Sequence, residues 1–401
     1  MTTPEGAPRP RLLVVDDEVA ICELIREVAI GVGFDVDTAS DAETIDAQLG
    51  AGHQVTILDL SLAGDDGVSA MRTLSARMPG AAVIVASGAP ERVLGSAQRV
   101  AGMYGLRVLG ACAKPLSVAS LHTLLRAAYD SADAPAPTVL TAGEIADRVQ
   151  EMRIDDVTLA YQPVIDLRTG EVVSAEAFSR WRSGRSDSID PNMFVPEMER
   201  VGSSGQLLSH VARGAAADRI AVPALARLPM VAINVSIRDF ENLDMPAMLH
   251  AALTSAAPAS AWTLEITETA TVGSAALALD VITRLSLNEF RLAIDDFGTG
   301  HSNLERLRWY PFSELKIDRS FLTDDSSGSG SDWIIVRNAV TMAQELGLEV
   351  VAEGVEDTRT LRRLRDLGCD RAQGYLISPP VPAAEFGERC EAWSRMAATL
   401  Y

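Results

Sequence analysis

At 401 residues the chain has room for two or three domains with sizeable cores. Hydrophobic content of 47% beside 22% charged residues is that of an ordinary folded protein, and a net charge of −20 excludes the basic footprint that a nucleic-acid backbone requires. Residues 1–130 hold 16 acidic against 10 basic side chains, about −6, which leaves −14 beyond; the acidity is spread and no tail carries it.

No apolar stretch reaches the roughly 18 residues of a membrane span, and no signal-peptide pattern opens the chain. Cys22, Cys112, Cys369 and Cys390 show no metal-type pairing and fit a reducing compartment. The expectation is a cytoplasmic protein that binds neither DNA nor membrane.

Residues 11–15 are branched and apolar throughout and read as a fully buried strand ending in Asp16-Asp17-Glu18. An amphipathic helix follows, with Val19, Ile21, Leu24, Ile25 and Val28 on one face, closed by Gly31 and Gly33. A second strand-plus-helix unit spans 34–49. Further strands over 55–58, 82–85 and 107–113 end at Asp59, Ser87 and Lys114-Pro115. Repeated strand-then-helix units predict a parallel sheet covered on both faces, with functional groups at the carboxyl ends of its strands. Asp16, Asp17, Asp59, Ser87 and Lys114 all fall there. Three carboxylates, a hydroxyl and an ammonium suit Mg²⁺-assisted transfer of phosphate onto a carboxylate.

The motifs VVDDE (14–18), LDLSLAGDDG (58–67), VIVASG (83–88) and Lys114-Pro115 together resemble a response-regulator receiver domain, over residues 10–130. The resemblance implies a doubly wound (βα)₅ fold, with Asp59 as phosphoacceptor and a cognate histidine kinase as donor. It also implies one Mg²⁺ or Mn²⁺ ion held by Asp16, Asp17 and Asp59, Ser87 as switch hydroxyl, and Lys114 as phosphate contact. Three residues before the lysine, receivers carry Tyr or Phe; here stands Ala111, so the aromatic relay is absent. The competing reading is a receiver that serves only as an interaction domain.

Residues 131–144 read as a linker: 131–137 are small and Pro-containing, without periodicity. A helix is expected over 141–153, with Thr141 as N-cap and Glu144 three residues on.

Beyond it, strands are expected at 158–165, 172–178, 230–235, 263–267, 291–295, 314–317, 349–353 and 372–377. Eight strands with helical stretches between them, in residues 145–401, match the about 250 residues of a (β/α)₈ barrel of the TIM type. Alternation supports this. Val231, Ile233 and Val235 share one face while Ala232, Asn234 and Ser236 share the other; Thr263 precedes Glu265 in the same way, Ala293 precedes Asp295, and Val351 precedes Glu353. Polar residues thus gather near carboxyl ends, where a barrel's active site sits. The inventory is Glu176, Asn234, Glu265, Asp295, Asp296, Lys316, Glu353 and Gln373. Oxygen donors without His or Cys suit Mg²⁺ or Mn²⁺, and so many carboxylates call for two ions about 3.5–4 Å apart, an arrangement that hydrolyses phosphodiesters.

The stretches YQPVIDLRTG (161–170), AEAFSRW (175–181), INVS (233–236), LEITE (264–268), DDFGTG (295–300), LKIDRSF (315–321), VVAEGVE (350–356) and AQGYLISPP (372–380) resemble the EAL-type cyclic di-GMP phosphodiesterase family. The resemblance implies that Glu176, Asn234, Glu265 and Asp295 bind one metal and that Asp295 and Asp296 face a second. Lys316 would orient the attacking water, and Glu353 would be a second-metal ligand or the general base. Gln162, Arg180 and Gln373 would hold cyclic di-GMP, with Glu268 and Glu356 in support and Glu268 anchoring the 296–300 loop. Pairing into a homodimer or larger homo-oligomer is implied as well. Three departures stand out: Phe178 where the namesake triplet has Leu, His301-Ser302-Asn303-Leu304 after the loop, and Pro379 where relatives carry a base.

Singly, each of these residues has a bland reading. Asn234 could be a satisfied amide, Lys316 and Asp318 a solvated pair, Glu265 and Glu268 a local cap, and Asp59 a cap on the 64–67 turn. Together they do not, because burying eight polar groups unpaired at strand ends costs several kcal/mol each. The leading expectation is hydrolysis of cyclic di-GMP to linear pGpG, controlled by phosphorylation of Asp59. The alternative is a module that binds cyclic di-GMP without hydrolysing it.

Overall fold

In a computed structural model of the chain, the described residues are 9–40, 44, 48, 52–62, 67–78, 80–89, 91–132, 142–182, 188–267, 275–298, 307, 309–322 and 331–400. Several expectations lie outside them: most of the 41–49 helix, the 64–67 turn before Gly67, the linker over 133–141 with Thr141, Glu268, and the loop over 299–306. The chain divides into two compact units, Met1–Thr141 and Ala142–Tyr401.

The first unit is a five-stranded parallel sheet of β1 (Arg11–Val15), β2 (Asp35–Ala39), β3 (Val55–Asp59), β4 (Ala82–Ser87) and β5 (Arg107–Ala113), in the order β2-β1-β3-β4-β5. Alternation along the strands feeds two cores. Leu12, Val14, Ile57 and Ile84 pack under the helices Val19–Val32 and Val118–Ala132. Leu13, Val15, Leu58, Val83 and Val85 pack under Gly67–Arg77 and Glu91–Met103. Both faces are covered, which is why these strands read as unbroken apolar runs. The strand order turns back between β1 and β3, and the crevice that this opens lies at their carboxyl ends, where Asp16 and Asp59 stand. Where Val83 and Ile84 of β4 pair with Val108 and Gly110 of β5, Leu109 is left over as a one-residue bulge, and Ala111 beyond it packs, partly buried, against the second core.

The second unit opens with the helix Ala142–Glu151 and closes eight strands into a ring. These are β6 (Val157–Asp166), β7 (Val172–Arg182), β9 (Met230–Val235), β10 (Trp262–Thr267), β11 (Arg291–Phe297), β12 (Glu314–Ile317), β13 (Glu349–Ala352) and β14 (Arg371–Gln373). Two-residue strands, β8 (Ser188–Ile189) on β7 and β15 (Val381–Pro382) on β6, extend it.

The closed eight-stranded barrel agrees with the (β/α)₈ expectation and adds one reversal. β6 runs antiparallel to both neighbours, β7 and β14, while the other ring pairings are parallel. The cause is local. Asp166 accepts hydrogen bonds from the backbone of Arg168 and Thr169 at 2.9 and 2.7 Å, folding 166–171 into a tight turn. A turn that short returns the chain antiparallel, since a parallel return needs a long crossover. Boundaries differ too. The strand expected at 372–377 stops at Gln373, because the chain then turns against the 353–355 segment: a Cβ on Gly374 would lie 2.1 Å from the Val355 nitrogen. The strand expected to end at 353 stops at Ala352, and β7 runs four residues further than expected.

Candidate active site

Five strands deliver the central groups of the barrel. Glu176 (β7), Glu265 (β10), Asp295 (β11) and Lys316 (β12) are buried, and Glu353 follows β13 directly. Leu315 and Ile317 turn outward into the core, so Lys316 between them must point into the ring, where it is 2% exposed. Its ammonium lies 3.2 Å from Glu176 Oε2, 2.7 Å from Glu265 Oε2, 3.2 Å from Asp295 Oδ1 and 2.5 Å from Glu353 Oε1.

Amides orient the carboxylates further. Asn234 Nδ2 donates to Glu176 Oε1 at 2.8 Å, and Gln373 Nε2 donates to Glu176 Oε2 at 2.9 Å and Gln162 Oε1 at 2.8 Å. Gln162 Nε2 donates in turn to the Ser378 carbonyl. Gln162 comes from the reversed strand β6, where the register sets it opposite Glu176.

Charge is unbalanced here: four carboxylates surround one ammonium. Burial pushes Glu176 up, but Lys316, Glu265, Gln373 and Asn234 outweigh it and hold its carboxyl below the usual range. Burial and then the Glu176 charge drive Glu265 well above that range; burial drives Glu353 up despite Lys316. Burial opposes the Lys316 charge, yet the carboxylates around it hold the ammonium well above its ordinary value. Asp296 adopts a left-handed backbone, φ +56°, and burial followed by the Asp295 charge pushes its carboxyl to about 6.

Asp295, Asp296 and Glu353 each offer an oxygen within 4.8 Å of the others, and Asp295 Oδ1 is buried without a hydrogen-bond partner. An oxygen-only donor set in which Asp295 Oδ1 makes only the Lys316 ion pair fits a hard divalent cation. The expected set of Glu176, Asn234, Glu265 and Asp295 is gathered in one place, but one oxygen of each carboxylate is turned toward Lys316 and Asn234 donates to Glu176.

The well opens on a cavity of about 1430 Å³, lined among others by Arg180, Asp296, Glu356 and Tyr375. That exceeds the about 300–1,000 Å³ usual for small-molecule sites. Arg180 stacks its guanidinium 5.4 Å over Phe178 and donates to the Ser179 carbonyl, and Glu356 is exposed in the loop after β13.

Sequence reasoning missed Ser378, Gly374 and Asp239. Asp239 carried a readable signal: Ser236-x-x-Asp239 is a capping box, and both its hydrogen bonds form. The other two depend on contacts across the barrel.

The first unit has its own acidic pocket. Lys114 Nζ lies 2.9 Å from Asp16 Oδ2 and from Asp59 Oδ2, and 3.2 Å from Glu18 Oε1. Burial raises the Asp16 carboxyl, while Asp59 and Asp16 lift Lys114 against its own burial. Asp16, Asp17 and Asp59 offer oxygens within 4.8 Å of one another, an oxygen-only set that also fits a hard cation. Ser87 is fully buried at the end of β4, where its hydroxyl accepts from the Ala89 backbone.

A doubly wound sheet with an aspartate pocket, and a closed barrel with a carboxylate well, define a receiver-plus-barrel class of protein. The family model of the EAL domain matches residues 146–380, and that of the response regulator receiver domain matches residues 12–126. The chain belongs to the EAL family and carries a receiver domain.

The cyclic di-GMP phosphodiesterase RocR of Pseudomonas aeruginosa is 30% identical over 389 residues, 94% of this chain and 98% of that protein. Cyclic di-GMP phosphodiesterase NbdA of the same organism is 36% identical over 246 residues, 61% of this chain but 31% of that protein. Among solved structures, the EAL enzyme Bd1971 with cAMP and cyclic di-GMP bound matches with a TM-score of 0.58 and 26% identity, over 68% of this chain and 74% of that one. The PaMucR phosphodiesterase in complex with c-di-GMP matches with a TM-score of 0.53 and 33% identity, over 58% and 99%.

Proposed function

We propose that this chain is a response regulator whose barrel hydrolyses one phosphodiester bond of cyclic di-GMP to linear pGpG, under the control of phosphorylation at Asp59. The observation that carries the reading is the buried well in which Glu176, Glu265, Asp295 and Glu353 converge at the carboxyl ends of the strands, open to a cavity lined by Arg180. RocR, named as a cyclic di-GMP phosphodiesterase and matched along nearly its whole length, supports it.

In this reading Glu176, Asn234, Glu265 and Asp295 hold one Mg²⁺ or Mn²⁺ ion, and Asp295 and Asp296 face a second. Bound there, the ions polarise the attacking water and neutralise charge on the phosphoryl oxygens. Lys316 orients the water and Glu353 receives its proton or completes the second ion's ligands. The water oxygen bonds to phosphorus, the ester oxygen leaves, and that oxygen takes up a proton. Gln162, Arg180 and Gln373 hold the dinucleotide, Arg180 exchanging the Phe178 face for a phosphate oxygen pair. Glu356 supports from the loop beyond Glu353, and Glu268 the 296–300 loop.

Residues 10–130 form the regulatory domain and 145–401 the catalytic one, joined by the 131–144 linker. In the receiver, Asp16, Asp17 and Asp59 hold one ion, a histidine kinase donates the phosphoryl group, and Ser87 and Lys114 contact it. The protein works in the cytoplasm as a homodimer or larger homo-oligomer; among the described residues no helix is long and apolar enough to cross a membrane.

The test is product analysis of the purified full chain with cyclic di-GMP and Mg²⁺ or Mn²⁺. Linear product is expected, with turnover reduced more than about 100-fold by Glu176→Ala or Asp295→Ala while the fold is kept. Full activity in either variant refutes the site. In the same assay a phosphodonor should raise the rate, and Asp59→Asn should abolish that rise. Equal rates with and without donor remove the regulatory half of the reading.

A further inference from the structure

We propose that Lys316 is the resident counter-ion of the metal-free well, and that Glu353 is the partner it gives up when a divalent cation enters. The inference rests on the metal reading above and adds a positioning role for the lysine. An ammonium carries three protons. Here they serve Glu176 Oε2 and Glu265 Oε2, while Glu353 Oε1 lies nearest the nitrogen at 2.5 Å and Asp295 Oδ1 lies 3.2 Å away. The four carboxylates come from β7, β10, β11 and the end of β13, so without a central charge their repulsion would push the carboxyl ends of those strands apart.

Of the carboxylates paired with Lys316, Asp295 and Glu353 also belong to the acidic trio with Asp296, and Glu353 is the nearer to the ammonium, at 2.5 Å against 3.2 Å. A cation seated in that trio competes with the lysine for Asp295 and Glu353, and for Glu353 above all, since that carboxylate lies closest to the ammonium. Loading the site therefore exchanges the closest ion pair of Lys316 for one ligand of the ion. Glu176 and Glu265 stay in place through their remaining bonds to the lysine and to Asn234 and Gln373. The barrel end is thus kept assembled before the ion arrives, and the lysine sets how tightly the ion is held.

The experiment measures thermal unfolding of the full chain in EDTA and in saturating Mn²⁺, with Mn²⁺ affinity from electron paramagnetic resonance. It compares wild type with Lys316→Met and Lys316→Arg. Lys316→Met should melt several degrees lower than wild type in EDTA and close to it in Mn²⁺, with Mn²⁺ bound at least about tenfold tighter. Lys316→Arg, which keeps the charge, should follow wild type in EDTA. A Mn²⁺-induced shift equal in Lys316→Met and wild type overturns the proposal. So does a Lys316→Met protein that stays unfolded in Mn²⁺, because the ion then fails to replace the lysine. Wild type that binds no Mn²⁺ overturns the underlying metal reading instead, and this inference with it.

Discussion

At the scale of single residues, charge and burial are set against each other at several positions, and each carries a measurable consequence. Asp239 lies outside the carboxylate well and is 3% exposed. Its Oδ2 accepts from the Ser236 backbone at 3.0 Å, and Oδ1 has no hydrogen-bond partner. Burial, the largest cause, lifts its carboxyl from 3.8 to about 6. The folded chain therefore keeps this proton to higher pH than the unfolded chain does. Below about pH 4 both states are protonated and nothing is lost; as pH rises to about 6 the folded state alone resists ionisation, so stability falls and stays lower above. The loss is on the order of 1–3 kcal/mol. Asp239→Asn keeps an oxygen for Ser236 and has no charge to bury. Urea midpoints between pH 4 and 7 should therefore decline less in Asp239→Asn than in wild type, and an identical decline would show that the burial of this carboxylate costs nothing.

At the scale of elements, the parallel strands of the barrel divide their labour between two ends. Carboxyl ends carry the well, while amino ends carry a charge network: Arg371, first in β14, donates to Glu314 of β12 and Glu349 of β13, each at 2.9 Å. Arg291, first in β11, also bonds Glu349. Burial raises the Glu314 carboxyl against the pull of Arg371. Arg371→Ala strands a buried carboxylate, so it should cost about 3–5 kcal/mol at neutral pH, with part of that restored by adding Glu314→Gln. Turnover per folded molecule should hold, since the network sits at the end opposite the cavity. Loss of less than a few tenths of a kcal/mol in chemical denaturation would mean that water already solvates Glu314. The polar residue near each strand's carboxyl end was legible in the sequence, because strand alternation and the apolar run before each one mark where it stands. The hairpin was legible too, in Asp166-x-x-Thr-Gly, though the (β/α)₈ expectation passed over it. The amino-end network was not: which glutamate meets Arg371 depends on register across three strands, and register is fixed by closure of the ring. The early stop of β14 was hidden for a similar reason, since it follows from how closely Gly374 approaches Val355.

At the scale of the whole molecule, the two units use one electrostatic device. Each sets a lysine among carboxylates at the carboxyl ends of parallel strands: Lys114 between Asp16 and Asp59, and Lys316 among Glu176, Glu265, Asp295 and Glu353. Such a lysine satisfies part of the charge, meeting Asp16 at 2.9 Å in one unit and Asp295 at 3.2 Å in the other. Both aspartates belong to acidic trios. A chain with 55 acidic against 35 basic residues keeps its surface negative as well, which favours divalent cations at both places. Ala111, partly buried, packs a single methyl group against the core of the first unit. All of this depends on the barrel's carboxylates converging on divalent ions. Anomalous diffraction from a crystal of the full chain soaked in Mn²⁺ tests that most directly. The account predicts two peaks about 3.5–4 Å apart, bounded by Glu176, Asn234, Glu265, Asp295 and Asp296, with Glu353 drawn off Lys316. An empty well, with all four carboxylates still gathered on Lys316 at saturating Mn²⁺, would contradict it.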